Sequence, residues 1–66
     1  MAAAVNFPYV PTGAIKSFGA VGPKYEVGRP LRQLSDGDWM IKILLVESGE
    51  QAEYRLSQLL ADPKAL

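Results

Sequence analysis

Asp36-Gly37-Asp38 holds the most closely spaced pair of carboxylates in the sequence, and it is the natural place to look for chemistry. Two carboxylates so placed could share a metal ion, but a calcium loop recruits several further oxygen ligands at fixed spacing, and none follows here. Ser35-Asp36-Gly37-Asp38 instead carries the chemistry of a turn, with Asp side chains capping local amides and Gly supplying the left-handed conformation. The sequence has no His and no Cys, so it lacks the usual neutral-pH acid–base group and both principal zinc ligands. Its nucleophiles, Thr12, Ser17, Ser35, Ser48, Ser57, the tyrosines and the lysines, have no His to activate them. Gly19, Gly22 and Gly28 precede no helix and no Gly-Lys-Ser/Thr, so they form no phosphate loop. The expectation is a protein that is not an enzyme and holds no metal or cofactor.

What remains is surface. Seven basic and seven acidic residues cancel, so no overall field draws the chain to nucleic acid or an anionic membrane. Two local surfaces can still be assembled around the segment Trp39 to Glu47. On a strand, Trp39, Ile41, Ile43 and Leu45 point to one side and Met40, Lys42, Leu44 and Val46 to the other. The first set is the core face. Met40, Leu44 and Val46 form an apolar row on the second face, a candidate surface for a protein partner or for a second copy of the chain. Arg32, Lys42 and Arg55 fall on that face too and form a candidate nucleic-acid patch, thin beside the dense cationic surfaces that phosphate-driven affinity requires.

A hairpin positions both surfaces. Ser48-Gly49 reads as a two-residue turn that sets Leu45 opposite Ala52, Ile43 opposite Tyr54, Lys42 opposite Arg55 and Ile41 opposite Leu56. A one-residue slip would carry Gln51, Glu53 and Arg55 into the core, so the apolar pattern and the turn length agree. The register leaves two like-charge misfits, Lys42 against Arg55 and Glu47 against Glu50. The predicted core is Trp39, Ile41, Ile43, Leu45, Tyr54 and Leu56.

Strands are predicted over 24–33, 39–47 and 50–56, joined by 14–18. Lys24-Tyr25-Glu26-Val27 alternates cleanly, and Gly28-Arg29-Pro30 interrupts it, as suits an edge strand with a bulge. A further bulge between Leu31 and Leu34 would return Leu31 and Val27 to the core. Ser57 is the expected N-cap of a short helix that Pro63 limits. The fold class is mainly β, a small α+β domain: a three- to four-stranded antiparallel meander able to curl toward a small barrel, with a short C-terminal helix.

Residues 1–13, with Pro8, Pro11 and Gly13, are expected to form an extended tail before a single domain over 14–66, the alternative being that Phe7, Tyr9 and Val10 dock on an apolar surface. At 66 residues the whole sequence is near the lower size for unaided folding. No apolar run reaches the length that spans a bilayer, and Met1-Ala2-Ala3-Ala4-Val5 lacks the basic start and length of a signal peptide, so a cytoplasmic location is expected.

Gly13-Ala14-Ile15-Lys16-Ser17-Phe18-Gly19, Gly22-Pro23-Lys24-Tyr25-Glu26-Val27, Gly37-Asp38-Trp39-Met40-Ile41, Val46-Glu47-Ser48-Gly49-Glu50 and Leu56-Ser57-Gln58-Leu59-Leu60-Ala61-Asp62-Pro63 together resemble a family of short uncharacterised bacterial proteins. The resemblance spans about residues 13 to 63. It implies a bacterial, cytoplasmic protein and carries over no catalytic or binding residue. The function expected from the residues themselves is a non-enzymatic protein-interaction module that uses an apolar sheet face or an edge strand, with a nucleic-acid-binding accessory role as the alternative.

Overall fold

The computed structural model describes residues 8–65. Four antiparallel strands, β1 (Ile15–Ser17), β2 (Lys24–Gln33), β3 (Trp39–Leu45) and β4 (Gln51–Arg55), lie in the order β1-β2-β3-β4, and α1 (Leu56–Ala61) follows directly. β1 and β4 are the two outer strands and do not pair, so the sheet is open and not curled into a barrel.

The alternation read from the sequence sets the faces. Tyr25, Val27, Ile41 and Ile43 are at most 1% exposed on one side of the sheet, where Leu56 and Leu59 of α1 cover them. Burying each such side chain contributes about 1.5–3 kcal/mol, which favours α1 on this face. Trp39, Leu45 and Tyr54 pack around the same cluster while staying partly exposed. Leu59 is fully buried, whereas Leu60 points to solvent.

The β3–β4 register departs from the sequence expectation. Ile41 faces Tyr54, Lys42 faces Glu53 and Ile43 faces Ala52, two residues away from the expected pairing. Gly49, at φ 74°, ends a loop over Val46 to Ser48, and the Leu45 amide donates to the Glu50 carbonyl at 2.8 Å. Val46 and Glu47 therefore belong to the loop and not to β3. A shift of two leaves every side chain on its face, so the apolar alternation cannot distinguish the two registers. The charges can, because Lys42 now meets a carboxylate in place of Arg55.

β2 is an inner strand rather than an edge strand, though β1 flanks only its first residues. Its register against β3 shifts between Val27 and Pro30 and again between Pro30 and Arg32. At the first shift a Cβ on Gly28 would stand 2.7 Å from the Lys42 carbonyl oxygen, so only glycine fits there. The second falls at Leu31, inside the expected interval, but it leaves Leu31 37% exposed and outside the core.

Ser57 is not the N-cap. The helix begins at Leu56 with Arg55 in the cap position, and the Ser57 amide donates to Asp38 Oδ1 at 3.2 Å. A carboxylate from the β2–β3 loop thus satisfies one of the unpaired amides of the first turn.

Residues 10–13 lie against the sheet. Val10 packs on the core, the Gly13 amide donates to the Val27 carbonyl at 2.8 Å, and Thr12 Oγ1 donates to the Gly28 carbonyl at 2.9 Å. Tyr9 is 76% exposed, and Phe7 lies outside the described residues.

Truncating Ile43 to Ala should cost about 2–5 kcal/mol in urea denaturation, whereas Leu44→Ala on the opposite face should change stability by about 0.5 kcal/mol. Equal losses would show that both faces are packed.

Candidate interaction face

With α1 on the core face, no described element lies over the other side of the sheet. The register arranges that side in cross-strand rows. Ile15, Glu26, Leu44 and Gln51 form one, Lys42 and Glu53 stand in the next, and Arg32, Met40 and Arg55 form the third. A shallow groove of about 390 Å³ crosses the bulge, between Glu26, Arg29, Lys42, Leu44 and Gln51.

Of the expected apolar row, Met40 is half-buried between two arginines and Leu44 is 38% exposed. Val46, 48% exposed, stands in the loop and leaves the row. Ile15, 39% exposed, joins Leu44 through the register of β1, a relation the sequence left unfixed.

The expected basic residues do share the face, but carboxylates interleave them. Arg32 bonds Glu53 at 2.8 Å, Lys42 stands opposite Glu53, and Arg55 bonds Asp36 at 2.7 Å and approaches Asp38 at 3.5 Å. Lys42 and Arg55 are not paired with one another. The surface alternates in sign.

Asp36 and Asp38 turn out to be fastenings. Asp36 Oδ1 accepts from the Asp38 amide at 3.0 Å, and Asp38 Oδ1 accepts from the Trp39 amide at 2.8 Å. Ser57 Oγ donates to Asp38 Oδ2 at 2.6 Å. The Arg55 guanidinium holds the Asp36 carboxyl below its ordinary range, and the Ser57 hydroxyl followed by the Trp39 amide does the same for Asp38.

A second fastening joins the far end of α1 to the sheet. The hydroxyls of Tyr25 and Tyr54 both donate to Asp62 Oδ2, at 2.7 and 3.1 Å, and the Gly19 amide reaches Asp62 Oδ1 at 3.4 Å. Phe18 completes the aromatic group, its ring centroid 4.5 Å from Tyr25 and 5.0 Å from Tyr54. Burial first, and then the bond to Asp62, pushes both phenols above their ordinary value. Lys16, buried on the core face beside Tyr25, donates its ammonium to the Leu59 carbonyl. Nothing in the single sequence signals these partners, because they are brought together only by the fold.

A carboxylate held below its ordinary value stabilises the fold above the unfolded value of 3.8, and that contribution is lost as pH falls through the lower folded value. Asp38→Asn should therefore weaken the protein at neutral pH and flatten the loss of stability on acidification, measured by urea denaturation down to about pH 2. An unchanged acid profile would show that the Asp38 carboxylate carries no linkage.

The comparisons agree with this picture of a small bacterial domain. The chain is 52% identical over 56 residues to an uncharacterised protein of Haemophilus influenzae, a match that covers 85% of this chain and 89% of the relative. Residues 3–66 match the model of a family described as Family of unknown function (DUF5397). Because that match takes in nearly the whole sequence, the chain belongs to this family.

Proposed function

We propose that the protein is a non-enzymatic interaction module that meets a protein partner on the uncovered sheet face and along the adjoining free edge of β4. The observation that carries this reading is the one-sided packing: the helix covers the Trp39 side and leaves Ile15, Leu44 and Leu31 exposed on or beside the other. Single exposed apolar side chains are ordinary on any surface. Here Leu44 borders a groove on a sheet whose last strand, among the described residues, has no neighbour along one side, which is a template for strand addition.

The alternating charges favour a protein over a nucleic acid. Arg32, Lys42 and Arg55 each face a carboxylate, so phosphates would have to displace Glu53, Asp36 and Asp38 before releasing counterions. A polypeptide presents both signs and backbone donors, and it can match such a surface. Among the described residues no helix is long and apolar enough to cross a membrane. A cytoplasmic location suits the reading, since a sequence without Cys needs no oxidising compartment.

A photo-crosslinking residue placed at Leu44 should yield protein adducts in the native bacterium, whereas the same residue at Leu60, exposed on the helix, should not. No adduct from Leu44, or equal adducts from both positions, would overturn the reading.

A further inference from the structure

Three stretches of sheet edge are open to comparison, and they differ. The edge of β1 is closed by the chain itself: the Ser17 amide donates to the Pro63 carbonyl at 3.1 Å and the Ala65 amide to the Ile15 carbonyl at 2.9 Å. The half of β2 beyond β1 contains Pro30, which has no amide hydrogen, and two register shifts, both devices that blunt an edge. The remaining edge is β4, with five regular residues and no bulge.

The direction of its free groups follows from the ladder. Leu45 donates to the Glu50 carbonyl, and in an antiparallel pair hydrogen-bonded positions alternate, so Ala52 and Tyr54 bond to β3. Gln51 and Glu53 therefore direct their amides and carbonyls away from the sheet, and Arg55 its amide, because the Arg55 carbonyl at the helix cap accepts the first bond of α1. Resting on the interaction reading, we infer that the partner at this edge is a second copy of the chain, with β4 pairing antiparallel to β4 about a two-fold axis at Glu53.

That register is the one that uses all three outward residues. Gln51 faces Arg55 of the second copy, Glu53 faces Glu53, and about four backbone bonds form, two between the glutamates and two from the Arg55 amides. Centring on Ala52 would set Arg55 against Gly49 in the loop, and centring on Tyr54 would set Gln51 against Ser57 in the helix, so each leaves an outward amide of β4 against a residue outside the strand. The two glutamates at the axis are not bare charges. Each is bonded to Arg32 at 2.8 Å, lies opposite Lys42, and gains Arg55 of the second copy as a diagonal neighbour within reach of a long side chain. The strand Gln51-Ala52-Glu53-Tyr54-Arg55 thus complements itself when reversed. Because the β1 edge is already closed, the pairing ends at two copies and does not grow into a fibre.

Sedimentation velocity of the intact chain across a wide concentration range, with amide exchange on the same samples, tests this. Glu53→Pro removes an outward amide that takes no part in the β3 ladder, and Glu53→Gln keeps it. The expected result is a wild-type dimer whose Gln51, Glu53 and Arg55 amides lose protection on dilution, dissociated by Glu53→Pro and retained by Leu44→Lys. If circular dichroism shows Glu53→Pro unfolded, the dilution-dependent protection of the wild type decides by itself. A wild-type monomer at all concentrations overturns the inference. So does a dimer without protection at those amides, or one that Leu44→Lys dissociates. A monomer that still yields Leu44 adducts to another protein refutes the self-pairing alone and leaves the broader reading standing.

Discussion

Everything in this fold depends on which side of a four-stranded sheet the short helix α1 takes, and a carboxylate holds it there. Asp62, just past α1, receives the hydroxyls of Tyr25 from β2 and Tyr54 from β4, and so ties the helix terminus to two strands that are not neighbours. Hydrogen bonds to a charged acceptor are worth about 1.5–3 kcal/mol each, a large share of the stability of so small a domain. A helix of six residues has little stability of its own. It persists because both ends are fastened: Asp38 takes the Ser57 amide at the start, and Lys16 and Asp62 hold the last turn.

The faces of the sheet were legible in the sequence for a simple reason. Alternation has a period of two, so Trp39, Ile41, Ile43 and Leu45 separate from Met40, Lys42 and Leu44 whatever the pairing. The register was not legible from hydrophobicity, because a shift of two preserves that alternation, and a permissible Ser48-Gly49 turn pointed to the shorter loop. The like-charge misfits were the available signal, and the longer loop replaces Lys42 against Arg55 by Lys42 against Glu53 while removing Glu47 and Glu50 from the ladder. Strand ends blur where polar turn residues meet apolar ones, so alternation alone extends β3 to Val46, a residue that the loop takes out of the row.

The candidate surface was half visible. Arg32, Lys42 and Arg55 do share the uncovered face, yet their electrostatic meaning reverses once Glu53, Asp36 and Asp38 are seen beside them. Those pairings link residues 17 to 21 positions apart and depend on register, which sequence alone left two residues out. The Tyr25–Asp62–Tyr54 group was invisible for the same reason. Fastening and open face are two sides of one arrangement, since the contacts that hold α1 and residues 63–65 to one side and one edge leave the other side and the β4 edge uncovered by any described element.

Amide exchange of Asp62→Ala against the parent chain tests this arrangement most directly. Leaving two partly buried hydroxyls without their acceptor should cost about 1–3 kcal/mol and should act locally. The expected result is loss of protection at the helix amides and at Ser17 and Ala65, which bond across the C-terminal segment, with the β3 amides of Ile41 and Ile43 still protected. An unchanged exchange pattern would contradict the role given to Asp62, as would a uniform loss across sheet and helix together.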